Sequence, residues 1–132
     1  DDKVQYLADT VAIIRHFAKV GKIGKAAKSI LQDADIGKNK IYISIISMVE
    51  ILYLSERNRI PLNLKEVKRK LLHLDNYEIL DLDLDIVETA KTVKRLELHD
   101  RLIVSTALSL NVPVLTSDQI ICDSRQVDVI WG

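Results

Sequence analysis

Hydrophobic positions recur along this chain at two spacings, every second residue or every third and fourth, and the changes between them mark out its elements. Residues 4–8 form a short β-prone run that ends at Asp9-Thr10, after which Val11, Ile14, Phe17 and Ala18 recur at helical spacing. A strand feeding a helix is expected. Gly21 and Gly24 break that helix, and Ala26, Ala27, Ile30 and Leu31 mark a second one flanked by lysines. Residues 41–45 are apolar enough to form a strand inside a sheet. The helix expected over 47–57 carries Met48, Val49, Ile51, Leu52 and Leu54, which leaves little polar surface and implies that it is largely buried.

Beyond Pro61, Asn63 is expected to open a helix to about Leu74, with Leu64, Val67, Leu71 and Leu74 on one face. A strand over 77–82 follows, then a helix starting at Asp85 and running to about Leu96. Asp100 opens another, with Ile103, Ala107 and Leu110 as its stripe. Residues 112–115 read as a short buried strand and 127–131 as a last, edge strand. Strands alternating with helices indicate an α/β fold, a single domain over residues 1–132 with a central, mostly parallel sheet of four to five strands.

Composition narrows the class. With 48% hydrophobic and 29% charged residues among 132, disorder is excluded, and one cysteine, Cys122, excludes a disulfide scaffold. That usage fits a reducing cytosol, so a cytoplasmic location is expected. No apolar stretch approaches the roughly 18 residues that span a bilayer, and the charged start Asp1-Asp2-Lys3 does not read as a signal peptide. The absent initiator Met is expected to reflect a trimmed N-terminus.

Formal charge is zero, with 19 basic and 19 acidic residues, which by itself argues against a nucleic-acid partner. The total hides an asymmetry. Between Arg15 and Lys70 there are 13 Lys or Arg and 5 Asp or Glu, whereas from Leu71 onward there are 5 basic and 11 acidic residues.

In a parallel α/β sheet, helix N-termini and strand C-termini share one edge. Asp9 ends the first strand, Glu50 sits near the start of the helix after the second, Asp100 starts a helix and Asp118 follows the fourth strand. All four are expected on that edge. Singly, each has an ordinary explanation: Asp9, Asp100 and Asp118 stand at N-cap positions, and Ser47-Met48-Val49-Glu50 matches a capping box. Together, four carboxylates in one crevice repel each other and raise each other's pKa. A divalent cation relieves that repulsion, and hard oxygen donors without Cys or His favour Mg²⁺ or Mn²⁺. One or two such ions would suit in-line displacement at phosphorus, with no side-chain nucleophile.

Other motifs carry less. Residues 81–85 resemble the start of a calcium loop, but Ile86 stands where Gly is needed and Thr92 where a bidentate Glu belongs. Gly21-Lys22-Ile23-Gly24-Lys25 lacks Walker spacing and follows a helix, so it reads as a helix-helix turn. His16, His73 and His99 form no zinc spacing, although His99 adjoins Asp100. Arg15, Lys19, Lys22, Lys25 and Lys28 recur at three or four residues inside the basic half, and Arg15, Lys19, Lys22 and Lys25 are candidates for contact with the phosphates of a nucleic acid. Only six aromatic residues occur, so base stacking is not the evident recognition mode.

At these residues the chain resembles the PIN-domain nuclease family, in its VapC-type toxin branch. Tyr6-Leu7-Ala8-Asp9-Thr10 resembles the family's opening strand with its Asp-Thr pair. The run from Ile43 through Glu50 to Ile60 is similar to its second strand and Glu-bearing helix. The stretch from Asp100 to Leu108 is the most specific match, and Val114-Leu115-Thr116-Ser117-Asp118 resembles the closing Thr-x-Asp element. The resemblance implies a three-layer PIN-like fold and a metal-dependent endoribonuclease, with Asp9, Glu50, Asp100 and Asp118 as catalytic ligands of Mg²⁺ or Mn²⁺. It makes Glu97 a fifth candidate ligand, next to Leu98 where many relatives have Pro, and gives Thr116 a supporting hydroxyl. It also implies an RNA substrate, a homodimer and a cognate antitoxin. The alternative is a catalytically silent scaffold of the same fold that binds RNA or a partner and uses the acids as caps.

Overall fold

A computed structural model describes residues 3–132; Asp1 and Asp2 of the charged start lie outside the described residues. Five strands form one sheet, β1 (Gln5–Ala8), β2 (Lys40–Ser44), β3 (Tyr77–Leu80), β4 (Val114–Leu115) and β5 (Val129–Ile130). Their order is β3-β2-β1-β4-β5, and all four pairings are parallel. The expected fold class holds, and β5 is the edge strand that 127–131 foretold.

The period of two within each strand decides what covers each face. Register puts Leu7 beside Tyr42 and Val114, and Ala8 beside Ile43 and Leu115. The Ala8 row packs under α1 (Thr10–Ala18), α2 (Lys25–Asp35), α3 (Ile45–Glu56) and α4 (Leu64–Leu72), through Ile13, Phe17, Leu31, Ile51 and Val67. The Leu7 row packs under α6 (Leu98–Leu110) through Ile103 and Ala107. Also on that side are α5 (Leu84–Ala90), joined to α6 by Ile86, Ala90 and Leu102, and α7 (Gln119–Ser124), joined by Ile121 against Val104. Three layers result because both faces of a parallel sheet must be kept from water. Ile13, Ile43, Ile51 and Leu115 are fully buried, each stabilising by about 1.5–3 kcal/mol relative to exposure.

Several expectations change in detail. The capping box at Ser47 is not formed: α3 begins at Ile45 with Ser44 as N-cap, its hydroxyl accepting from the Ile46 amide at 3.1 Å. β2 passes into α3 without a loop, so the earlier serine takes the cap and Ser47 falls inside the first turn. Nor is α3 largely buried. Ser47, Met48 and Ile51 are inside, while Val49, Leu52 and Tyr53 are 41–52% exposed.

The helix expected over 85–96 starts at Leu84, with Asp83 accepting from the Ile86 amide at 2.9 Å, and ends at Ala90. Val93 is buried between α6 and α7 instead of extending it. Asp100 does not open α6, which starts at Leu98 after Glu97. The short α7 was not expected, because six residues are too few to display a helical period.

The Gly21–Gly24 turn does join two helices. Gly21 takes φ +67°, and Gly24 is approached by Trp131, whose carbonyl accepts from the Ala27 amide at 3.0 Å. Among the described residues no helix is long and apolar enough to cross a membrane.

Candidate active site

The C-terminal edge of the sheet gathers the acids. Asp9 and Thr116 are the residues after β1 and β4, one step beyond the paired Ala8 and Leu115. The ladder continues there, with the Asp9 amide donating to the Leu115 carbonyl at 3.1 Å. Alternation turns both side chains toward the α6 layer, and the Thr116 hydroxyl donates to Asp9 Oδ2. Asp9 Oδ1 caps α1 by accepting from the Ala12 amide at 2.8 Å. Asp118 caps α7, accepting from the Ile120 and Ile121 amides at 2.9 and 3.3 Å, while its own amide donates to Thr116 Oγ1 at 3.0 Å. Asp9 and Asp118 are thus N-caps, as their positions suggested, and each carboxylate keeps lone pairs for further partners.

Glu50 arrives from α3, in its second turn. Its Oε1 lies 2.7 Å from Thr10 Oγ1, which lies 2.8 Å from Ser47 Oγ. An ionised carboxylate only accepts and a hydroxyl has one proton. Thr10 therefore donates to Glu50, and Ser47 donates to Thr10, a two-hydroxyl chain that orients the carboxylate from the protein interior. Thr10 is 7% exposed and Ser47 fully buried. The sequence pointed to Thr10 only as Asp9's neighbour and to Ser47 only as a cap. Ser47 stands three residues before Glu50, hence on the same helix face, and that was the available signal.

Asp100 and Glu97 come from the start of α6, in the first turn and at the N-cap position respectively. Leu98 occupies the first helical position, one that also suits Pro, so the departure at Leu98 leaves the helix start intact. The Glu97 side chain makes no cap hydrogen bond. His99 adjoins the cluster, its Nδ1 standing 3.8 Å from Glu50 Oε2.

Electrostatics shows that these carboxylates share one space. The Asp100 carboxyl is pushed up to about 6, first by burial and then by the negative charges of Asp118, Glu50, Glu97 and Asp9. Asp9 is also raised, mainly by burial, with Asp118 and Glu50 adding to it and the hydrogen bonds from Thr116 and Ala12 opposing it.

The donor set is all oxygen, which suits a hard divalent cation. Among the described residues, however, no group of three or more His, Cys, Asp or Glu side chains is set to hold a metal ion as it stands. The cluster is thus open: its charges feel one another, and Asp9, Glu50 and Asp118 each accept from hydroxyl or amide donors of the protein.

The basic candidates lie elsewhere. Arg15, Lys19 and Lys22 line a cleft of about 620 Å³ between α1 and α2 together with Lys28, and Lys25 is not among its lining.

The family model described as "PIN domain" matches residues 6–125. A comparison with curated proteins finds no match. Among solved structures, the chain is similar to one in VapBC2 from Rickettsia felis bound to a DNA fragment from their promoter, with 18% identity over 98% of this chain and 100% of that one and a TM-score of 0.71. It is similar to a chain of a toxin-antitoxin complex from Klebsiella pneumoniae, with 21% identity over 95% of each and a TM-score of 0.67. A chain of FitAcB from Neisseria gonorrhoeae is similar at 19% identity over 95% of this chain and 96% of that one, with a TM-score of 0.66. PIN domains are generally nucleases that hydrolyse phosphodiester bonds and generally depend on a divalent metal. The match spans nearly the whole chain and includes the strand ends and helix starts that gather the acids: the chain belongs to the PIN domain family.

Proposed function

We propose that this chain is an endoribonuclease in which Asp9, Glu50, Asp100 and Asp118 hold one or two divalent cations, Mg²⁺ or Mn²⁺, with Glu97 at the rim. The observation that carries the reading is the Asp100 carboxyl, raised to about 6 by burial, by Asp118, Glu50 and Asp9 from three other elements, and by Glu97 at the start of its own helix. When bound, the cation supplies charge neutralisation for the carboxylates and for the phosphodiester under attack. The chain's own residues do the positioning. Thr116 and the Ala12 amide hold Asp9, the Ser47–Thr10 chain holds Glu50, and the first amides of α7 hold Asp118. The carboxylates are thereby presented from the starts of separate elements at one edge of the sheet, and Asp100, on the first turn of α6, is raised to about 6 by burial and by its acidic neighbours.

Structural likeness to chains of toxin-antitoxin complexes supports a toxin role with an antitoxin as partner, and the homodimer that the family resemblance implies is proposed with it. An adjacent small reading frame for a DNA-binding antitoxin and growth arrest on induced expression are the expected signs; a solitary gene whose expression is harmless refutes the toxin role.

The test of the enzyme is cleavage of structured RNA in Mg²⁺ or Mn²⁺. Asp9→Asn should lower the rate by more than about 100-fold, beyond the usual effect of losing a residue that merely supports a ligand, and EDTA should abolish it. Activity that survives both sinks the proposal.

A further inference from the structure

We propose that the cleft between α1 and α2 binds the sugar-phosphate backbone of the RNA away from the carboxylates, an extension that rests on the nuclease reading above. Arg15, Lys19, Lys22 and Lys28 surround about 620 Å³ of concave space. Among the described residues none of these four cations takes part in an ion pair. Asp35, the one carboxylate in the lining, is already engaged: Oδ2 lies 2.8 Å from His16 Nε2, and Oδ1 accepts from the Tyr77 hydroxyl at 2.7 Å. Four like charges gathered in a concavity repel one another, and an anion entering it removes that repulsion.

The cleft is also shaped for the task. Arg15 lies over Gly21, where an added Cβ would stand 3.0 Å from Nε, and one guanidinium nitrogen donates to the Lys22 carbonyl at 2.8 Å. That contact orients the planar fork, which matches the paired oxygens of a phosphate. Among the described residues the lining contains no Phe, Tyr or Trp, so recognition would address the backbone without base stacking.

Continuity comes from α1 itself. Its N-cap is Asp9, and Arg15 and Lys19 follow about 9 and 15 Å along the helix axis, within reach of one strand whose scissile bond lies at the carboxylates.

The test is binding of a labelled single-stranded RNA by the whole chain in EDTA, which suspends cleavage, across a series of salt concentrations. Lys22→Gln with Lys28→Gln removes two phosphate contacts and should lower the magnitude of the log K against log salt slope by about 1.4. Lys91→Gln with Lys94→Gln, the same charge change on the other side of the sheet, should leave the slope alone. Equal loss in both pairs, or in neither, overturns the proposal. Retained RNA binding with lost binding of a poly-glutamate peptide also overturns it, assigning the cleft to an acidic protein segment. Failure of the parent chain to bind RNA at low salt overturns the nuclease reading as well, whereas binding by the parent that the cleft pair does not weaken overturns this inference alone.

Discussion

Replacing Asp100 by Asn should stabilise the metal-free chain above pH 6 and weaken its response to Mg²⁺. In the folded chain this carboxyl is raised from 3.8 to about 6, first by burial and then by Asp118, Glu50, Glu97 and Asp9. Its folded value lies above the unfolded one, so the native state holds the proton more tightly. The stability linked to it is complete below about pH 4 and is lost as pH climbs through about 6. A rise of about 2 units corresponds to about 3 kcal/mol. The group is only partly buried, and solvent screening reduces the expected cost to about 1 kcal/mol, a shift of about 3–5 °C in melting temperature for a chain of this size. The assay is thermal unfolding of both proteins between pH 4.5 and 8 in EDTA, read as their difference so that other titrations cancel. Asp100→Asn should gain on the parent from about pH 4.5 to 6.5 and hold that gain at higher pH. In Mg²⁺ at a hundredfold excess over its Kd the parent should recover about 2.7 kcal/mol, and the variant much less. A difference that stays flat across about pH 4.5 to 6.5, or that falls as pH rises, would refute the claim that burial and neighbouring acids raise the Asp100 carboxyl.

Further predictions follow from particular contacts. Thr10→Val removes the hydroxyl that orients Glu50 and should lower RNA cleavage by about 10–100-fold, as loss of a ligand's hydrogen-bond partner does, while Thr10→Ser, which keeps the hydroxyl, should retain most of it. In a Glu50→Gln background the Thr10→Val effect should shrink, because the two act as a unit. Gly24→Ala places a Cβ 2.1 Å from the Trp131 carbonyl oxygen, a backbone atom, and should cost about 1–3 kcal/mol in urea unfolding.

What the sequence determined by itself was the order of elements, the parallel α/β class and the edge on which four acids meet, because strand and helix periods are local and a parallel sheet places every strand end and following helix start on one side. Asp9 and Asp118 were legible for that reason. The start of α3 was not: the capping-box pattern pointed to Ser47, whereas β2 runs directly into the helix and the chain turns on Ser44. Tertiary structure alone brought Ser47 to Thr10 and Thr10 to Glu50, contacts between residues 37 and 40 positions apart. It also left Lys25 out of a cleft that takes in Lys28, since the stripe of charge along the sequence continues through a turn that changes the direction of the chain. Hydrophobic spacing sets which residues face inward, and packing sets which polar groups then meet; the first is written in neighbours along the chain, the second in neighbours across it.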